Sequence, residues 1–84
     1  MSHTYHRQRP EGLAHRARIR AVIVPRLVPG CRLPATALLG RWLGISQQEA
    51  CRHLRRVLSE EGIATETRRR RIYVTALPEG RAAA

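Results

Sequence analysis

Two groups of side chains in this chain have the chemistry to recognise a polyanion. The first is Gln47, Gln48, Arg52, Arg55 and Arg56, which follow Ser46 at helical spacing. The second is the unbroken run Arg68, Arg69, Arg70 and Arg71. A carboxamide bonds bidentately to adenine N6 and N7, and a guanidinium reads guanine or holds a phosphate. Consecutive guanidiniums suit backbone phosphates or a narrowed minor groove, where the negative potential is enhanced. Catalytic chemistry has no comparable support. Aspartate is absent, the six glutamates are scattered or suited to helix caps, and no glycine-rich phosphate loop is present. Neither an acid–base pair nor a nucleophile with its base can be assembled, so no enzyme is expected. Cys31 and Cys51 match no zinc spacing, and Cys51 and His53, at i and i+2, do not face each other on a helix. No metal or cofactor is expected.

Composition sets the scale. Eighty-four residues allow one small domain, in which well-matched helices must do what bulk burial cannot. The net charge of +10 is carried by arginine alone, with no lysine, asparagine or phenylalanine in the chain. Such a charge favours polyanions, because each neutralised phosphate releases condensed counterions. The arginine and alanine bias points to a high-GC bacterial host, plasmid or phage. There is no membrane-length apolar run and no secretory leader at the N-terminus, so a cytoplasmic, nucleoid-associated protein is expected.

The elements that must position these side chains follow from pattern and punctuation. Residues 1–10 are polar, basic and aperiodic, and read as a flexible arm. Glu11 to Val24 places Leu13, Ala17, Ile19, Val22, Ile23 and Val24 on a broad apolar surface at helical spacing, with Arg16, Arg18 and Arg20 on the outer side. Pro25 is expected to stop or bend this helix. Pro29-Gly30 marks a turn, and Leu33-Pro34 holds the chain extended, with Leu27 and Leu33 as anchors. A second helix spans Ala35 to Leu43, with Leu39 and Leu43 inward and Trp42 at the edge of the core. Gly40 within it, costing about 1 kcal/mol relative to alanine, implies that another helix backbone comes close.

Gly44 is a C-cap candidate. Ser46-Gln47-Gln48-Glu49 fits the capping box, which commits Glu49 to the Ser46 amide and withholds it from the DNA surface. Ala50, Leu54, Val57 and Leu58 then share the inner face of a third helix, bordered by His53, and Gly62 ends it. Ile63 to Thr67 and Ile72 to Ala76 read as a hairpin whose tip is the four arginines. Residues 79–84 read as a disordered tail. The expected fold is mainly α with a small β-hairpin: a winged helix-turn-helix over residues 11–78, with three helices and a two-stranded wing.

A helix-turn-helix presents the N-terminal side chains of its second helix to base edges in the major groove. The motifs Leu27-Val28-Pro29-Gly30-Cys31-Arg32-Leu33-Pro34, Leu39-Gly40, Leu43-Gly44-Ile45-Ser46, Gly62-Ile63 and Tyr73-Val74 resemble the GntR-type winged helix-turn-helix domain. The resemblance covers about residues 15 to 78. It implies a bacterial DNA-binding regulator contacting DNA through Arg32, Thr36, Ser46, Gln47, Gln48, Cys51, Arg52, Arg55, Arg56 and Arg68 to Arg71. The chain departs from the family at Gln47 and Cys51, where arginines are common, and at Ala35, where Thr36 can replace the usual serine. It departs again at Arg69 and Arg71, where the wing tip usually has glycine, so a stiffer and more charged wing is expected.

GntR-type regulators carry an effector and dimerisation domain after the wing. Here few residues follow Pro78, so a stand-alone domain without a small-molecule effector is expected, binding double-stranded DNA as adjacent monomers or a DNA-assisted homodimer. The alternatives are a winged helix that contacts polymerase or recombinase, and a nonspecific nucleic-acid binder.

Overall fold

The computed structural model describes residues 10–78, so residues 1–9 of the arm expected at 1–10 and the tail at 79–84 lie outside the described residues, while Pro10 belongs to the first helix and not to an arm. Three helices precede an antiparallel hairpin in a winged-helix-like arrangement: α1 (Pro10–Arg18), α2 (Thr36–Leu43), α3 (Gln47–Glu60), β1 (Ala64–Arg68) and β2 (Arg71–Ala76). None of the described helices is long and apolar enough to cross a membrane.

α1 begins at Pro10, a favoured first helical position because the missing N–H needs no partner there. It does not run regularly to Val24. The chain widens to a π-helical stretch over Ile19–Ile23, then tightens to a 3₁₀ turn over Val24–Arg26 that contains Pro25. In a continuous α-helix the Pro25 ring would strike the carbonyl four residues earlier. The change of pitch accommodates Pro25 inside the last turn, where the sequence pattern implied a stop or bend.

The inward stripe of this first helix also differs from expectation. Ile19 and Val24 are buried, but Leu13, Ala17 and Val22 are exposed. Arg16, expected on the outer side, is buried instead, with 6% of its surface accessible. Gly12, Arg16, Ile19 and Ile23 fall four, three and four residues apart, so the spacing that turns Ile19 inward turns Arg16 inward with it. Arg20 crosses to α3 and forms ion pairs with Glu60 and Glu61.

α2 and α3 pack around Leu39, Leu43, Ala50, Leu54, Val57 and Leu58, all buried. Gly44 ends α2 in the left-handed region at φ 78° and donates to the Gly40 carbonyl at 2.8 Å. The turn folds back closely enough that a Cβ on Gly40 would lie 2.8 Å from the Ile45 carbonyl oxygen and 3.1 Å from that of Ser46. The close backbone implied by this glycine is therefore the entry to α3. Ser46 caps α3 with the full box: its hydroxyl accepts from the Glu49 amide at 3.1 Å, and the Glu49 carboxylate accepts from the Ser46 amide at 3.4 Å. Trp42 does not plug the core. It is 40% exposed, and the Arg18 guanidinium lies over its ring at 4.4 Å.

Val74 is the buried residue of β2, and Ile63 is buried just before β1. The segment after the Pro29-Gly30 turn joins this sheet edge. Gly30 and Leu33 donate to the carbonyls of Val74 and Ile72, and Val74 donates to Cys31. Val28 to Cys31 forms a turn with Pro29 second and Gly30 third at φ 90°, the arrangement of a type II turn. The sequence pattern did not reveal this third, bridge-like strand.

Candidate nucleic-acid interface

The expected contact residues on α3 form a continuous outward surface. At about 100° per residue, Gln48, Arg52 and Arg55 occupy its centre, and all three are exposed. Gln47 and the half-buried Cys51 fall on one flank; Glu49, His53 and Arg56 fall on the other. Gln48 and Arg52 make no side-chain hydrogen bond with another described residue. Arg55 donates to the Cys51 sulfur at 3.4 Å, and Arg56 pairs with Glu60 at 3.1 Å. Hydrogen bonding from Arg56, followed by attraction to Arg20, holds the Glu60 carboxyl below its ordinary pKa.

Gln47 is held where Gln48 is not. Its Nε2 donates to the Thr36 hydroxyl at 3.0 Å, tying the first turn of α3 to the first turn of α2. Gln47 and Thr36 line a cleft with Pro34, Arg70 and Arg71. This cleft joins the start of α2, the start of α3 and the wing. Arg32 is exposed on the strand-like segment, opposite Tyr73 of β2 in a backbone bridge.

The wing tip is narrower than expected. Arg68 and Arg71 belong to the strands and pair with each other, leaving Arg69 and Arg70 as a two-residue turn. Both turn residues have positive φ, 50° and 67°. Positive φ at both central positions is the signature of a type I′ turn, for which Asn-Gly is strongly preferred. An ordinary side chain there costs roughly 1–2 kcal/mol per residue, and the directly opposed Arg68 and Arg71 add like-charge repulsion. Glu66 offsets part of this by pairing with Arg68 at 2.5 Å, while Tyr73 receives the Arg68 guanidinium over its ring at 4.5 Å.

Glu49 stays committed to its cap. Hydrogen bonds from the Ser46 amide and then the Ser46 hydroxyl hold its carboxyl below the ordinary range. Ser46 itself is exposed at the mouth of α3.

The far flank contains residues that sequence reasoning did not assemble. Gly12, His15 and Arg16 of α1 line a groove with Glu49, Arg52, His53 and Arg56 of α3. Arg16 Nη1 lies 3.1 Å from His53 Nδ1, and the His15 and His53 ring centres are 5.6 Å apart. Burial and then the Arg56 charge lower the Arg16 pKa. Burial, then Arg16 and then His15 hold His53 below its usual value, so the imidazole is neutral near pH 7. The available signal was the inward stripe of α1, which aligns Arg16 with Ile19.

Compared with family models, curated proteins and solved structures, the chain shows no significant match. The assignment of a role therefore rests on the residues and their geometry.

Proposed function

We propose that the protein binds double-stranded DNA with a sequence preference, as a small bacterial, nucleoid-associated transcription regulator of the GntR-like winged-helix kind. One observation carries this reading: Gln47 and Thr36 share a cleft with Arg70 and Arg71, so the start of α3 and the wing tip bound one surface. Beside it, the centre of the outward face of α3, formed by Gln48, Arg52 and Arg55, is polar and cationic. Gln48 and Arg52 are the base-reading candidates, since both side chains are exposed and uncommitted. Gln47, held by Thr36, positions the entry to the groove and presents its carbonyl oxygen. Arg69 and Arg70 hold phosphate or enter the minor groove.

The strained, self-repelling wing tip supports the same reading. Four adjacent guanidiniums in and beside a two-residue turn that prefers Asn-Gly weaken the free fold, and a polyanion relieves the repulsion. A single module buries about 600–1,000 Å² on DNA, so we propose binding by adjacent copies or a DNA-assisted pair. Selection from a randomised duplex pool tests the reading. Enrichment of a short motif supports it, whereas equal retention of all sequences identifies a nonspecific binder. Contact with protein is the competing reading, favoured by Leu38 and Trp42, 59% and 40% exposed one turn apart on α2. It prevails if no duplex is retained and a protein partner is lost on Leu38→Ser with Trp42→Ser.

A further inference from the structure

The far flank of α3 holds an arrangement that the wing-side cleft does not explain. Arg16 is more than nine-tenths buried, yet it has no carboxylate within ion-pair distance among the described residues. Its hydrogen-bonding partner is His53 Nδ1, the acceptor of a neutral imidazole. A buried guanidinium is costly without compensation, and it has five N–H donors in a planar fork. No buried side-chain nitrogen or oxygen among the described residues lacks a partner. The remaining Arg16 donors are therefore not fully buried, and Arg16 lines the groove.

The walls fit the same ligand. With Nδ1 accepting from Arg16, the neutral His53 ring carries its proton on Nε2, which adds a second donor. Gly12 leaves room for this pair: a Cβ there would lie 3.3 Å from both Arg16 Nη1 and His53 Cε1. A glycine inside a helix otherwise costs about 1 kcal/mol relative to alanine. Four guanidiniums line the groove, on Arg16, Arg52, Arg55 and Arg56, against the carboxylates of Glu11 and Glu49. Glu49 is already engaged by the Ser46 amide and hydroxyl.

We propose that the groove between α1 and α3, floored by Arg16 and His53 and rimmed by His15, Arg52 and Arg56, is a phosphate-binding site. A phosphate supplies the planar pair of acceptors that a guanidinium fork matches. The phosphate comes either from a DNA backbone, which rests on the DNA-binding reading, or from a free phosphate compound, which does not. DNA as the source accounts for the placement. A helix in the major groove has phosphates on both sides, and this groove flanks α3 on the side away from the wing-side cleft.

Binding is coupled to a proton. Arg16 and His15 on α1, with Arg52 on α3, oppose protonation of His53, while Glu49 favours it. An anion seated against the ring reverses that balance: His53 takes up a proton on Nδ1, and Arg16 exchanges its bond to that nitrogen for one to the phosphate. The affinity therefore rises as pH falls, by up to about tenfold per pH unit between the bound and the free titration midpoints of His53.

NMR titration of the full chain with inorganic phosphate, and with sulfate as an anion that does not titrate in this range, reads the site directly. The expected result is movement of the Arg16 and His53 side-chain signals and a rise in the His53 titration midpoint with both anions. Gly12→Ala and His15→Ala each weaken this response. His53→Gln, which keeps an acceptor for Arg16, abolishes its pH dependence. Duplexes carrying one neutral methylphosphonate separate the sources. If DNA provides the phosphate, one such substitution on the strand away from the wing weakens binding by the wild type and removes the pH dependence that His53→Gln lacks on every duplex. The slope of log affinity against log salt also falls by about 0.9 on that duplex. If a free compound provides it, the anion response persists and both proteins bind every such duplex alike. A His53 midpoint unmoved by either anion overturns the site, even where DNA binds. Failure of DNA to bind while the anions shift His53 leaves the site standing and overturns the functional reading alone.

Discussion

The Gln47 carboxamide donates to the Thr36 hydroxyl at 3.0 Å, so the two helices meeting at the proposed DNA surface are joined at their first turns. A hydrogen bond of this kind contributes about 0.5–1.5 kcal/mol. Its greater effect is to fix where the Gln47 side chain points. Thr36→Val should lower stability by about 0.5–1.5 kcal/mol while broadening the base preference nearest Gln47. Urea denaturation and repeated site selection measure the two effects separately.

Changes on α3 and on the wing should have different signatures. Gln48→Ala is expected to relax preference at one or two base positions. Replacing Arg69 and Arg70 by alanine should weaken all duplexes together and flatten the salt dependence by about 0.9 log units for each phosphate released. Equal losses on selected and scrambled duplexes for both variants would remove α3 from the role of reader.

The wing tip also predicts a gain and a loss from one change. Arg69→Asn with Arg70→Gly supplies the residues that the positive φ angles of 50° and 67° favour. Stability should rise by about 1–2 kcal/mol, from relief of left-handed strain. DNA affinity should fall at the same time. A higher urea midpoint accompanied by unchanged DNA affinity would exclude these two guanidiniums from phosphate binding.

Gly40→Ala should be among the most damaging single substitutions. The new Cβ would lie 2.8 Å from a backbone carbonyl oxygen, which cannot swing aside as a side chain can. Overpacking of this kind costs typically about 1–3 kcal/mol, well beyond the gain in helix propensity. Thermal melting monitored by circular dichroism tests it.

Acid should loosen the start of α3. The folded pKa of Glu49 is depressed below its ordinary value of 4.5, chiefly by the Ser46 amide. The unfolded chain therefore binds the proton more readily, and the contribution is complete above that ordinary value. It disappears as pH falls through the lower folded value. Glu49→Gln should flatten the dependence of melting temperature on pH in this window. Ser46→Ala should cost about 1 kcal/mol at neutral pH.

Much of this architecture is legible in the sequence because local chemistry and tertiary structure agree. Ser46 with Glu49, Gly44 in the left-handed region and the stripe from Ala50 to Leu58 each announce α3 without outside help. Where the two conflict, pattern misleads. An arginine reads as solvent-facing, yet the spacing of Arg16 from Ile19 puts it inside. Val22 and Leu13 read as inward because they are apolar, yet the stripe of Gly12, Arg16, Ile19 and Ile23 leaves both to its sides, in solvent. The four arginines resemble a loop because nothing in their chemistry favours strand pairing or a type I′ turn. The joining of Gly30 and Leu33 to β2 is a long-range pairing, which no local pattern encodes.

That pairing has a consequence for how the molecule opens. A two-stranded hairpin alone is marginal in water, and a wing held only by its own turn would fray independently of the helices. Here the amides of Gly30, Leu33 and Val74 lace the hairpin to the chain ahead of α2. Hydrogen exchange at Leu33 and Val74 should then track global unfolding, while the amides near Arg69 exchange by local opening. The wing is thus the last part of the chain to be synthesised among the described elements, yet folding of the earlier segment is completed only when it arrives.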